Sequence, residues 1–327
     1  MVAAEADLRL LRRRDVLQCI GPLEVLDAVR SALVAVAQGG VASPGPMSFD
    51  FRRARGEAHV KGAWIERASD WSVKVSTGFY DNPVQGLPSS WGLSLVASAE
   101  TGLVHTIVAD GGYLTDVRTG AAGALAAMAL TPSDIRRVAM IGTGTQARVQ
   151  LEYLVEVRQV DHIVAFGRNR ERAGRYAADM RERLGIEVEV ADSVAAALRN
   201  AELVITATPA ERPLIQAESV TGPTAFVAVG ADMPAKQELD AALLERADTL
   251  VADDPGQAAH VGELHHAPRA ASRAGWLGHL LAEPGTEHTA GLRIADLTGL
   301  GAEDAAVASL VARRARELQV GEQIKLG

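Results

Sequence analysis

The chain has 327 residues, 48% of them hydrophobic and only 4% aromatic, so its core must be built from Ala, Val and Leu, as in helices packed on a parallel sheet. A net charge of −8 argues against a nucleic-acid partner, and no apolar run reaches membrane-spanning length. The single cysteine, Cys19, excludes internal disulfides and cysteine-built metal sites.

The first residues lack the basic and long apolar regions of a signal peptide, so a cytoplasmic protein is expected. Residues 1–40 carry one helical pattern, Pro22, Leu23, Val25, Leu26, Val29, Leu33 and Val36, closed by Gly39 and Gly40. From Phe49 to Ile107 the texture changes to short β-type runs, over 58–61, 71–76, 92–97 and 103–107. Glu100, Thr101 and Gly102 read as a hairpin turn, and an antiparallel sheet is expected. A glycine-rich turn at 110–112 leads into an Ala/Gly-rich helix over roughly 119–130.

A regular β-α-β alternation follows. Strands are expected at 138–141, 162–166, 187–190, 203–208, 225–230 and 249–253, with helices at 146–158, 170–184 and 193–199. Residues 255–290 read as a Gly/His/Pro-rich loop region, with His260, His265 and His266 as loop residues, and a final helix is expected over roughly 302–319. The fold class is α/β: a Rossmann-type doubly wound parallel sheet plus an α+β domain before it.

The first strand of that sheet ends in Gly142-Thr143-Gly144-Thr145-Gln146-Ala147, the G-x-G-x-x-A form of the dinucleotide fingerprint. Gly142 permits the tight turn, Gly144 lets backbone approach a pyrophosphate, and Ala147 allows close helix–strand packing. A glycine turn with no ligand is the alternative. NAD-preferring sites place an acid at the end of the second strand. Here Gly167 stands there, followed by Arg168, Asn169 and Arg170. Guanidinium groups suit a phosphate, so NADP(H) is favoured over NAD(H).

Lys61 and Lys74 sit inside β-type runs, where a lysine either pairs with a substrate carboxylate or snorkels to solvent. His59 shares a strand and a face with Lys61. Asp116 is placed to cap the following helix, and Arg118 to contact phosphate or carboxylate. Asp232 follows the fifth strand, where ligands of parallel sheets bind, and is a candidate general acid/base; an Asx turn before Pro234 is the alternative.

Together, Lys74-Val75-Ser76-Thr77-Gly78-Phe79-Tyr80-Asp81-Asn82-Pro83, Gly86-Leu87-Pro88, Leu114-Thr115-Asp116-Val117-Arg118-Thr119-Gly120, the fingerprint and Gly230-Ala231-Asp232-Met233-Pro234-Ala235-Lys236-Gln237-Glu238-Leu239 resemble the ornithine cyclodeaminase/mu-crystallin family. The phrasing around Lys74 and Gly112 is closest to the ectoine-utilisation branch. The resemblance implies a homodimer, with residues 1–115 for substrate binding and dimerisation and 116–301 for NAD(P); the helix at about 302–327 is expected to return to the first domain. It implies hydride transfer at Cα of an α-amino or α-imino acid, as in ketimine reductases and amino acid dehydrogenases. The alternatives are an ornithine-type cyclodeaminase that recycles its bound NAD, and a non-catalytic NADPH-binding crystallin-like protein. Lys74 and Arg118 would hold the substrate carboxylate, and Asp232 would manage protons at the amine. Gly142, Gly144, Thr145, Gln146 and Ala147, with Thr115, Arg168, Asn169 and Arg170, would hold the cofactor. No metal is implied.

One departure stands out. Family members place an Arg for the carboxylate after a proline pair, but here the region reads Pro44-Gly45-Pro46-Met47-Ser48-Phe49. Where cyclodeaminases have an acid near the substrate amine, this chain has His59, with Lys61 two residues on. Lys61 is expected to replace the missing arginine's charge. Plain ornithine is then disfavoured, because no acid is left in that strand for its distal ammonium.

Overall fold

A computed structural model describes residues 6–283 and 290–326. It divides into two compact units, Met1–Arg118 with Leu300–Gly327, and Thr119–Gly299. Among the described residues no helix is long and apolar enough to cross a membrane.

The first unit is built on a mixed sheet. Its strands run in the order Glu322–Leu326, Ala6–Arg12, Val104–Ala109, Ser90–Ser98, Asp70–Phe79, Gly56–Ile65 and Val41–Ala42, with Met47–Phe51 also paired to Gly56–Ile65. Neighbours are antiparallel except Ala6–Arg12 and Val104–Ala109, which are parallel. The expected hairpin forms: the Ser98 hydroxyl accepts from the Glu100 and Thr101 amides, and Gly102 takes φ +73°. Ala6–Arg12 is a strand that the sequence pattern did not reveal, because its alternation is short and broken by the adjacent Leu10 and Leu11.

The helices Pro22–Ala37 and Gly301–Glu317 pack on each other, and the latter packs on the three long strands. Alternation sorts those strands' side chains in an unusual way. Ser72, Lys74, Ser94 and Thr106 are buried beneath the helix, whereas Trp64, Trp71, Val75, Trp91 and Leu95 are exposed on the opposite face. An ordinary one-sided antiparallel sheet buries its apolar face. Here the polar face is the covered one.

The second unit holds an eight-stranded parallel sheet. The order is Glu187–Val190, Gln159–Phe166, Asp134–Ile141, Leu203–Thr206, Ala225–Ala228, Arg293–Asp296, Thr249–Ala252 and Gly275–Trp276. Chain order reverses between Asp134–Ile141 and Leu203–Thr206, which is the switch point of a doubly wound fold, where ligands bind. The central strands are buried on both faces, as continuous apolar runs require.

Two readings need amendment. The expected strands omit Arg293–Asp296, which lies between Ala225–Ala228 and Thr249–Ala252. Its four residues begin and end with a charge, which hid a fully buried strand. Nor is 255–290 a loop region. It holds helices Pro255–Val261, Pro268–Ala271 and Leu277–Ala282, with a 3₁₀ turn over Glu263–His266. Asp254 caps the first of these through the Gly256 and Gln257 amides. His260 is therefore helical, and His265 and His266 lie in the turn; residues 284–289 are outside the described range.

Candidate active site

The fingerprint turn has the backbone that its glycine spacing predicts. Gly142 sits at φ +123°, and a Cβ there would lie 2.5 Å from the Ala207 carbonyl oxygen, so only glycine fits. Gly144 precedes the helix Thr145–Val157 with no side-chain cap, and a Cβ on it would meet nothing within 4 Å. The helix thus begins directly at the turn, the position at which a helix N-terminus can receive an anion. Ala147 is fully buried, and its carbonyl accepts from Tyr176 at 3.0 Å. Arg148, which the sequence did not single out, braces the turn from behind. Its guanidinium donates to the carbonyls of Thr143 (2.9 Å) and Gly144 (3.1 Å), and to Asp179 (2.8 Å). Gln146 lies in the same first turn.

At the second strand's end, a Cβ on Gly167 would lie 2.8 Å from the Thr143 side chain, which would have to turn aside for any larger residue. Arg168 is exposed. Asn169 caps the next helix through the Arg172 amide, and Arg170 pairs with Asp192.

Beyond the fourth and fifth strands, the buried Glu238 carboxylate accepts from the Thr206 and Thr208 hydroxyls and the Thr208 and Gly230 amides. It ties the two strand ends together and fixes the turn that carries Asp232. Asp232 meets the Lys236 ammonium at 2.7 Å. Behind this layer lie Glu263 and Asp296, both fully buried. Glu263 accepts from the Glu238 and Leu239 amides, and Asp296 from that of Leu264. Burial pushes the Asp296 carboxyl up to about 7. Burial, then the Asp296 and Glu238 charges, raise Glu263 well above the carboxylate range.

In the first unit, Lys74 and Lys61 are direct partners on adjacent strands. Lys74 is only 3% exposed, which rules out snorkelling. Its ammonium lies 2.9 and 2.8 Å from the two Asp304 oxygens. Arg118 reaches Glu303 at 2.9 Å and Asp304 at 3.0 Å. Glu303 and Asp304, 0% and 3% exposed, stand in the first turn of Gly301–Glu317, where the helix dipole favours acids. Burial lowers the Lys74 pKa to about 8, with Asp304 opposing that fall and Arg118 and Lys61 adding to it.

Arg118 and Thr115 belong to the helix Tyr113–Leu130. The residue that fixes its start is Asp110, not Asp116: its carboxylate accepts from the Gly112 and Leu114 amides at 2.9 and 2.7 Å, while Asp116 lies within the first turn. The helix also starts earlier than the expected 119.

A sequence model of the ornithine cyclodeaminase/mu-crystallin family matches residues 8–319. The chain belongs to this family. A putative dehydrogenase of Rhizobium meliloti is 38% identical, over 91% of this chain and 92% of its own length. An uncharacterized cyclodeaminase of Sinorhizobium fredii is also 38% identical, over 93% and 95%. Among solved structures, Thermococcus litoralis Δ1-pyrroline-2-carboxylate reductase, in complex with NADH and L-proline, has a TM-score of 0.90 at 26% identity, covering 97% of this chain and 100% of that one. An archaeal alanine dehydrogenase dimer with bound NAD has a TM-score of 0.89 at 31% identity, over 98% and 100%.

For a member of the ornithine cyclodeaminase/mu-crystallin family, one sequence reading fails. The strand with His59 and Lys61 does hold an acid. Glu57 lies two residues before His59 in Gly56–Ile65, so the three side chains share a face. Its carboxylate accepts from the Tyr80 hydroxyl at 2.7 Å and lies 3.9 Å from His59 Nε2. The period-two spacing 57, 59, 61 was the available signal. His59 Nδ1 bonds the Ser48 hydroxyl at 3.0 Å, and its buried Nε2 has no hydrogen-bond partner among the described residues.

Proposed function

We propose that the chain is an NAD(P)-dependent enzyme of α-amino and α-imino acid metabolism, of the ketimine reductase or amino acid dehydrogenase type. The observation that carries this is the Lys74–Arg118 pair: a buried lysine on the covered sheet face and a buried arginine on the helix Tyr113–Leu130, held in place by the same acids. Lys74 and Arg118 hold the substrate carboxylate by charge-assisted hydrogen bonds, and Lys61 contributes the charge that the missing family arginine would bring. His59 presents its buried Nε2, since such an atom ordinarily finds a partner. The fingerprint turn holds the pyrophosphate. When bound, the nicotinamide supplies or accepts hydride at Cα. Asp232 delivers a proton to the imine nitrogen in the reductive direction and removes one from the amine in the other. Lys236, at 2.7 Å, holds its orientation.

NADP(H) is the preferred cofactor in this reading, since Gly167 stands where an acid would bind the ribose and Arg168 is exposed beside it. The solved relatives carry NADH and NAD, so the preference is a property to measure. The exposed apolar sheet face supports a homodimer, because contiguous apolar surface of this kind marks an interface; the alanine dehydrogenase relative is itself a dimer.

Glu57 supports a second reading. An acid on the Lys61 strand face can hold a distal ammonium, as a cyclodeaminase requires.

The test is a screen of α-imino acids and α-keto acid/amine pairs, followed by NADPH and NADH oxidation. Reduction is expected, faster with NADPH. Lys74→Met and Asp232→Asn should each lower kcat/KM by about a hundredfold or more, with cofactor affinity unchanged. Unchanged turnover in both variants overturns the roles. Ammonia release from ornithine or diaminobutyrate without net cofactor change decides for the cyclodeaminase. Tight NADPH binding with no turnover of any substrate decides for a binding protein.

A further inference from the structure

Only four lysines occur among the 33 basic residues of this chain, at 61, 74, 236 and 325. Two of them, Lys61 and Lys74, are paired on the covered sheet face. Arginine is the default cation here, so lysine at these positions calls for a reason. At Lys74 the site uses a compact point charge, whose ammonium lies 2.8 and 2.9 Å from the two oxygens of one carboxylate.

The carboxylate belongs to Asp304, 230 residues away in sequence. Several features bring it there. Gly301 begins the helix with its Cα close to the sheet: a Cβ would lie 2.8 Å from the Gly62 carbonyl oxygen, the residue next to Lys61. The first turn of the helix is thereby pressed onto the strand pair that carries Lys61 and Lys74. Asp304 then accepts from Lys74 and also meets Arg118 at 3.0 Å, while Glu303 takes the other arm of Arg118.

Stability alone is a poor explanation of this cluster. Burying two cations and two acids costs several kcal/mol per ion in desolvation, and apolar packing of the same volume is often as stable or more so.

We propose that Asp304 is a positioning residue that locks Lys74 and Arg118 into a single two-pronged receptor for a substrate carboxylate. This rests on the reading of Lys74 and Arg118 as the carboxylate holders. Asp304 spans both cations and fixes their spacing before any ligand arrives, while Glu303 steadies Arg118 alone. The groups facing Lys74 are Asp304 and Glu303 from the covering helix, Arg118 from Tyr113–Leu130, Lys61 from one neighbouring strand and the uncharged Ser94 from the other. Asp304 is therefore the anion in direct contact with Lys74, and its removal leaves the ammonium facing two like charges.

The scarcity of lysine makes the test direct. Full-length protein labelled with ¹³C at lysine Cε gives four signals, and the one lost in Lys74→Met identifies Lys74. In Asp304→Asn the Lys74 signal is expected to titrate about one pH unit or more below its wild-type midpoint. Asp304→Glu, which keeps the charge, should stay near wild type. Pyruvate serves as the carboxylate probe. Its binding, read from the Lys74 signal at about pH 7.5, should weaken about tenfold in Asp304→Asn and recover on acidification, because lower pH recharges Lys74. A merely structural role predicts a lowered melting temperature with pyruvate affinity unchanged, since loss of the Asp304 charge moves the Lys74 titration in either case. Asp304→Ser supplies the same readouts if the Asn variant does not fold. If pyruvate moves the Lys74 signal in wild type but its affinity is unchanged in Asp304→Asn, this proposal fails and the carboxylate reading stands. If neither pyruvate nor a substrate found in the screen touches Lys74 in wild type, the carboxylate reading fails and takes this proposal with it.

Discussion

At the scale of single residues, the second unit stores charge in an unexpected place. Asp296 and Glu263 are fully buried behind the turn that carries Asp232, and both have raised pKa values. The folded protein therefore holds protons there that the unfolded chain releases. For Asp296, the associated stability is full below the ordinary carboxylate value. It falls as pH rises towards about 7. Wild type is accordingly expected to lose more stability than Asp296→Asn between about pH 5 and 8, by a few kcal/mol. Denaturant unfolding across that range checks it, and parallel slopes in the two proteins would contradict it. Neither residue stood out in the sequence. An Asp or Glu declares its burial only through what packs around it. The amides that satisfy these two come from Leu264, Glu238 and Leu239.

At the scale of elements, the sequence located the helix that carries Arg118 but mistook its anchor. Asp116 has the composition of a cap, and so does Asp110. The choice falls to Asp110 because Gly111 and Gly112 adopt positive φ and fold the chain back, aiming the 112 and 114 amides at its carboxylate. Asp110→Ala should cost about 1–3 kcal/mol in unfolding free energy. The same change should raise KM for the substrate through a displaced Arg118, whereas Asp116→Ala should cost less stability. Equal losses in the two variants would return the anchoring role to Asp116. The strands were easier to find than to bound. Apolar runs at 71–76 and 92–97 grew into Asp70–Phe79 and Ser90–Ser98, because cross-strand pairing extends a strand through polar residues that no local pattern recommends.

At the scale of the whole molecule, the sheet's exposed apolar face dominates. Trp64, Trp71, Val75, Trp91 and Leu95 stand on one side of three adjacent strands. Each buried residue of this size contributes about 1.5–3 kcal/mol. The protein should therefore sediment as a dimer at micromolar concentration. Trp71→Glu combined with Leu95→Glu should sediment as a monomer and melt at lower temperature. A monomeric wild type would refute the assignment of this face.

The sequence by itself determined the fold class, the family and the dinucleotide turn. These are written in local patterns: a β-α-β period, and glycines whose spacing answers to one backbone shape. It also marked Lys74, Arg118 and Asp232 as unusual charges. Only the tertiary structure decided what those charges meet. Glu303 lies 185 residues from Arg118 and Asp304 lies 230 from Lys74, and no periodicity links positions so distant. The structure likewise slipped Arg293–Asp296 between two strands that the chain order places elsewhere, and turned the polar side of the first sheet inward. Side-chain alternation can be read from sequence, but the face that gets covered depends on where the last helix lands.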